Sequence, residues 1–134
     1  MIAPSQKLRV LLVDDSSIAR DLIRSSLAEV LKADGRGYEL VELTEGRGAL
    51  ERLAKERFDL LLLDWVLPKF HGSEVLKQVR ANPALSRLPI VVISSAPDET
   101  RDQALNLGAN AFVSKPVVNS RLTEALHTVL SIKG

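Results

Sequence analysis

Apolar positions follow two rhythms along this chain, and the rhythms alternate. Residues 8–13 and 58–64 are short runs with almost no polar side to expose, the second built around Leu60-Leu61-Leu62-Leu63. Such a run predicts a strand buried on both faces, as in the middle of a parallel sheet. Residues 90–93, all β-branched after Pro89, and residues 111–114 are read as further strands. Residues 38–43 carry Glu39 and Glu42 and are expected at a sheet edge, where charge blocks unwanted pairing.

Between these runs the spacing is helical. Ile18, Ala19, Leu22, Ile23, Leu27, Val30 and Leu31 predict the inner side of a first helix, capped by Ser16 or Asp15, with Arg20, Asp21, Arg24 and Glu29 opposite. Asp34-Gly35-Arg36-Gly37 is a break. A helix over 46–55 should turn Leu50, Leu53 and Ala54 inward, and one over 73–80 Val75, Leu76 and Val79. A helix over 99–107 is stopped by Gly108, a left-handed cap. The last, over 119–131, presents Leu122, Ala125, Leu126, Val129 and Leu130 on one side. Strands alternating with helices imply right-handed crossovers and a parallel sheet covered on both faces, an α/β, three-layer, doubly wound architecture. No repeat, low-complexity run or linker interrupts it. The expectation is a single domain over 1–134 with its core at about 7–131, and no second domain.

The polar residues that matter stand where predicted strands end. Asp14 and Asp15 close the first, Asp64 the third, Ser94 and Ser95 the fourth, and Lys115 follows the fifth. Open α/β sheets place their sites at the carboxyl ends of strands, and the intervening helices bring all these ends to one edge. Oxygen ligands without His or Cys suit a hard cation such as Mg²⁺. Three carboxylates alone would repel one another and raise each other's pKa. A divalent cation and Lys115 bring the formal charge from minus three to zero, a site that admits a phosphoryl dianion. Asp64 is then the expected nucleophile. Mg²⁺ and Lys115 would hold the phosphoryl oxygens, and Ser94 would hydrogen-bond one of them. Pro116 keeps Lys115 extended.

Composition narrows the alternatives. Eighteen basic residues balance seventeen acidic ones, so there is no electrostatic footprint for nucleic acid. Three Phe, one Tyr and one Trp are too few for a base-stacking platform. The absence of cysteine excludes disulfides and thiolate chemistry. No stretch is long and apolar enough to span a membrane, residues 1–6 are too short and polar for a signal peptide, and the expected compartment is the cytoplasm.

Five motifs carry a resemblance over nearly the whole chain: Val13-Asp14-Asp15-Ser16, Leu63-Asp64-Trp65-Val66-Leu67-Pro68 with Gly72 beyond it, Ile93-Ser94-Ser95-Ala96, Leu107-Gly108-Ala109-Asn110-Ala111, and Ser114-Lys115-Pro116. In this order they resemble the receiver domains of bacterial two-component response regulators, including the chemotaxis single-domain type. The resemblance implies a flavodoxin-like fold with strand order 2-1-3-4-5. It implies that Asp64 accepts a phosphoryl group from a sensor histidine kinase or a His-containing phosphotransfer protein. It further implies that Asp15 and the carbonyl of Val66 ligate Mg²⁺ with Asp64, that Asp14 acts largely through water, that Lys115 contacts phosphate, and that Ser94 moves toward it. Phe112 takes the place of a switch aromatic that turns inward with Ser94. Phe has no hydroxyl, so its switch would rest on packing alone. An output partner would bind the face formed by the fourth helix, fifth strand and fifth helix.

Some positions depart from that pattern. His71 stands where Asp is common in the family, and Phe70 where Met is common. Trp65 is expected as a partly exposed packing residue, and His71 and His127 as solvated. Val66 and Ala96 are apolar at positions that influence phosphate loss, so slow or partner-dependent autodephosphorylation is expected. A phosphohydrolase of the haloacid-dehalogenase type would need a second acid two residues after Asp64, where Val66 stands. A flavin or nucleotide module would need a Gly-rich loop after the first strand, where Asp14-Asp15 would repel phosphate. A pseudo-receiver that binds partners without phosphorylation is the other alternative. The reading is therefore a phosphorylation-controlled switch with no enzymatic role beyond its own phosphorylation and dephosphorylation.

Overall fold

A computed structural model describes residues 7–95 and 98–130. Met1 to Gln6, Ala96 and Ser131, on which the sequence reading also touches, lie outside the described residues. Five strands, β1 (Leu8–Val13), β2 (Tyr38–Leu43), β3 (Leu60–Asp64), β4 (Ile90–Ser94) and β5 (Ala111–Ser114), form one sheet in the order β2-β1-β3-β4-β5. Every pairing is parallel. The helices α1 (Ser17–Asp34), α2 (Gly46–Lys55), α3 (Gly72–Ala81), α4 (Asp98–Asn106) and α5 (Asn119–Leu130) connect them.

The sheet divides the apolar side chains into two layers. Leu11, Val13, Leu61, Leu63 and Val92 face a core shared with α2 and α3. Leu8, Val10, Leu12, Leu60, Leu62, Val91 and Ile93 face one shared with α1 and α5. Adjacent strand residues point to opposite faces, so an unbroken apolar run is what a centrally placed strand requires. β2 lies at the edge as expected, and its Glu39 and Glu42 contact Arg9 and Arg24.

Several local expectations need correction. β3 starts at Leu60, not 58: Asp59 uses its side chain as well as its backbone to bond Arg9 before the strand proper begins. β4 extends through Ser94. On α1, Ile18 is 72% exposed and Leu22 49%, while Ser26 is buried in their stead. Ile18 and Leu22 line an open groove with Ala19, Pro116 and Val117 instead of packing into the core. On α2, Ala54 is exposed and Ala49 takes the inner position.

Candidate functional site

Parallel pairing brings the carboxyl ends of β1, β3, β4 and β5 side by side. Asp64 is paired with Ile93, and Ser94 with Ser114. The main chain continues the ladder beyond the strands: Asp14 N donates to Leu43 O, Trp65 N to Ile93 O and Lys115 N to Ser94 O. Asp14, Asp64, Ser94 and Lys115 therefore stand at the carboxyl ends of neighbouring strands, tied by ladder hydrogen bonds.

Asp14, Asp64 and Ser94 are buried, at 1%, 5% and 1% relative exposure, while Asp15 is exposed. One oxygen from each of Asp14, Asp15 and Asp64 lies within 4.8 Å of the others. Lys115 closes the cluster, with Nζ 2.8 Å from Asp14 Oδ2 and 3.4 Å from Asp64 Oδ2. The Lys115–Pro116 peptide is cis. Asp14 Oδ1 accepts from Ser16 N at 2.9 Å, and Ser16 rather than Asp15 caps α1, its Oγ accepting from Ala19 N. Asp64 Oδ1 accepts from Val66 N at 3.3 Å.

The electrostatics follow from this crowding. Burial pushes the Asp64 carboxyl up to about 6, Asp14 adds to the rise, and Lys115 only partly opposes it. Lys115 is raised above its usual value by its two carboxylates, against the pull of its own burial. The like-charge repulsion expected from the sequence is present, but desolvation is the larger cause. One ammonium does not satisfy three carboxylates. An all-oxygen cluster with surplus negative charge fits a hard divalent cation. A buried Asp14 oxygen whose only close partner among the described residues is Lys115 supports the same fit.

The loop after β3 is held by two features. Gly72 N donates to Trp65 O at 2.9 Å. A Cβ on Gly72 would stand 2.6 Å from Asp64 O and 2.8 Å from Trp65 Cα, so α3 can approach the acceptor strand only with glycine there. His71 is not a solvated residue. Its Nδ1 accepts from Ser73 N and caps α3, and its ring meets Trp65 edge-on at 5.3 Å. Trp65 is buried instead of partly exposed. No cap preference points to histidine, so the sequence held no signal for this role.

The remaining predicted residues are nearby but not inside the cluster. Val66 is 58% exposed at its mouth. Phe112 is half-buried on β5, packed against the α2–α3 core and facing a groove with Arg101, Leu105, Val118 and Arg121. A residue missed in the sequence is Arg20, whose Nη1 donates to the main-chain carbonyl of Asp14 at 2.7 Å. Its helical position suggested only a solvated face.

Comparison with known proteins agrees with this geometry. Residues 10–127 match the response regulator receiver domain family. The gliding motility regulatory protein of Myxococcus xanthus is 36% identical over 115 residues, which is 84% of this chain and only 14% of that protein. The chemotaxis response regulator CheY4 of Vibrio cholerae superposes with a TM-score of 0.79 at 29% identity, covering 93% of this chain and 100% of that one. The phosphorylated cyanobacterial phytochrome response regulator RcpA does so with a TM-score of 0.79 at 26% identity, covering 96% and 98%. No helix among the described residues is long and apolar enough to cross a membrane. With the sheet order, the acid cluster and the family match in agreement, the chain belongs to the response regulator receiver domains, the phosphorylation-controlled switches of two-component signalling rather than classical enzymes.

Proposed function

We propose that Asp64 is the phospho-acceptor of a receiver unit spanning about residues 7–131, and that Asp15, Asp64 and the Val66 carbonyl hold Mg²⁺ directly, with Asp14 acting through water. A bound Mg²⁺ supplies positive charge to the phosphoryl oxygens. An Asp64 oxygen attacks phosphorus. The P–N bond of a phosphohistidine donor, or the P–O bond of acetyl phosphate, breaks, and its electron pair leaves with the donor. Lys115 neutralises charge on the transferred group, and Ser94 donates a hydrogen bond to it. The phosphoryl carries a charge of roughly −1.5 to −2 in place of the single carboxylate charge it consumes. Ser94 and Phe112 then shift together and alter the α4–β5–α5 face for an output partner. The donor is a histidine kinase or a phosphotransfer protein, and the compartment is the cytoplasm.

One observation carries this reading: a desolvated carboxyl raised to about 6 lies 3.4 Å from a lysine and within a second and third carboxylate's reach. Perturbed groups of this kind concentrate at functional sites. The test is acetyl phosphate with Mg²⁺ followed by intact mass. Wild type should gain one phosphoryl group and Asp64→Ala none. No gain in the wild type would leave a phosphorylation-independent binding module. Val66 cannot orient an attacking water, so the phosphorylated wild type should lose its label slowly after acetyl phosphate is removed. Loss as fast as in quick chemotaxis-type receivers contradicts that part.

A further inference from the structure

Arg20 is the fourth residue of α1, on the side the helix turns toward β2. Its Nη1 donates to the carbonyl of Asp14, and its Nε lies 3.4 Å from Glu42 Oε1 on β2. Glu42 is held in turn by Arg24, whose Nε and Nη2 each donate to it at 3.0 Å. Arg24 Nη1 also donates to Asp21 at 2.9 Å. Four charged side chains thus form one continuous series of contacts from the edge strand to a main-chain atom of the site.

That main-chain atom sits at a sensitive point. Asp14 N bonds Leu43 O, and beyond this rung the chain turns out of β1 into Asp15. The Asp14 carbonyl and the Asp15 N–H share one planar peptide. Fixing the carbonyl fixes that plane, and with it where the Asp15 Cα stands. The Asp14 carboxylate is already occupied by Ser16 N and Lys115. Arg20 is therefore the group that orients the link between the two acids. A guanidinium holds a carbonyl and a carboxylate at once in a planar, fixed fork, whereas an ammonium is a point charge that fixes no such plane.

We infer that Arg20, braced by Glu42, is a positioning residue that sets the cation affinity of the acid cluster through the Asp14–Asp15 peptide. The inference rests on the cation role proposed above. Its sign separates it from simple electrostatics: removing a nearby positive charge would by itself tighten Mg²⁺, whereas releasing the peptide weakens it.

The test is a Mg²⁺ titration followed by the fluorescence of Trp65, the neighbour of Asp64, on the whole chain. Arg20→Met should weaken Mg²⁺ by about tenfold, the scale typical of groups that orient ligands. Arg20→Lys should recover part of the loss. Arg20→Lys, which keeps the charge, should still bind Mg²⁺ more weakly than wild type, and serves if Arg20→Met does not fold. Thermal melts without Mg²⁺ separate affinity from stability. An Arg20→Met protein that binds Mg²⁺ as tightly as wild type, or tighter, overturns this inference alone. Failure of the wild type to bind Mg²⁺ overturns the cation reading and this inference with it.

Discussion

At the amino end of the sheet, Arg9 reaches Glu56 at 2.9 Å and Glu39 at 3.4 Å, donates to Arg57 O, and lies 4.7 Å above the ring of Phe58. Asp59 accepts from Arg9 N at 2.8 Å, and Arg52 also pairs with Glu56. At the carboxyl end, Lys115 is the one cation among the described residues paired with Asp14 and Asp64, with Asp15 alongside. Hydrogen bonds from Arg52 and then Arg9 hold the Glu56 carboxyl below its ordinary value. Burial and Asp14 hold Asp64 above its own. With Arg57 beside Asp59, the first cluster has three charges of each sign and is partly exposed. The second is desolvated and short of positive charge. A matched cluster ties strands together, and an unmatched one waits for a ligand.

Gly72→Ala should break the comparison most severely. The added methyl would press on the backbone of Asp64 and Trp65, at an expected cost of about 1–3 kcal/mol for overpacking. Denaturant unfolding measures that cost. Acetyl phosphate labelling should fall with it, because the acceptor strand's end must move. Unchanged labelling and stability would mean that the α3 start yields easily.

The next effect is in pH. A native Asp64 near 6 against an ordinary 3.8 binds its proton more tightly folded than unfolded. Without a cation, its contribution therefore stabilises the fold as pH falls from about 6 toward 4, and is lost as pH rises through that window. Asp64→Asn should flatten this slope in melts across the range. In the presence of Mg²⁺ the proton competes, so apparent affinity should drop by about tenfold per pH unit below 6. A pH-independent Mg²⁺ affinity between 5 and 7 would place the Asp64 transition elsewhere.

Asp59→Ala tests the other end and should have the smallest effect. Arg9 N would lose its side-chain acceptor, at about 1 kcal/mol of stability. Mg²⁺ binding and phosphorylation should be untouched. A marked change in either would mean that the two ends of β3 are coupled.

Much of this was legible in the chain itself. Leu60 to Leu63 leading into Asp64, and Val10 to Val13 leading into Asp14-Asp15, predict both the buried strands and the acids at their ends, because periodicity is a local property of sequence. The expectation failed where a local pattern met the limit of a layer. Ile18 and Leu22 keep helical spacing but line an open groove beside Pro116 and Val117. It was silent where polar residues serve specific contacts: Arg20 and His71 look like any solvated side chain.

The sequence by itself determined the alternation of elements, the parallel sheet and the set of groups gathered at one edge, since hydrophobic spacing and strand ends leave few other arrangements. Only the tertiary structure decided which carboxyl is desolvated, that a single lysine bridges Asp14 and Asp64, and that Arg20 holds the peptide between the acids. Those outcomes depend on distances across strands remote in the chain, and on how far water is excluded from the space they enclose.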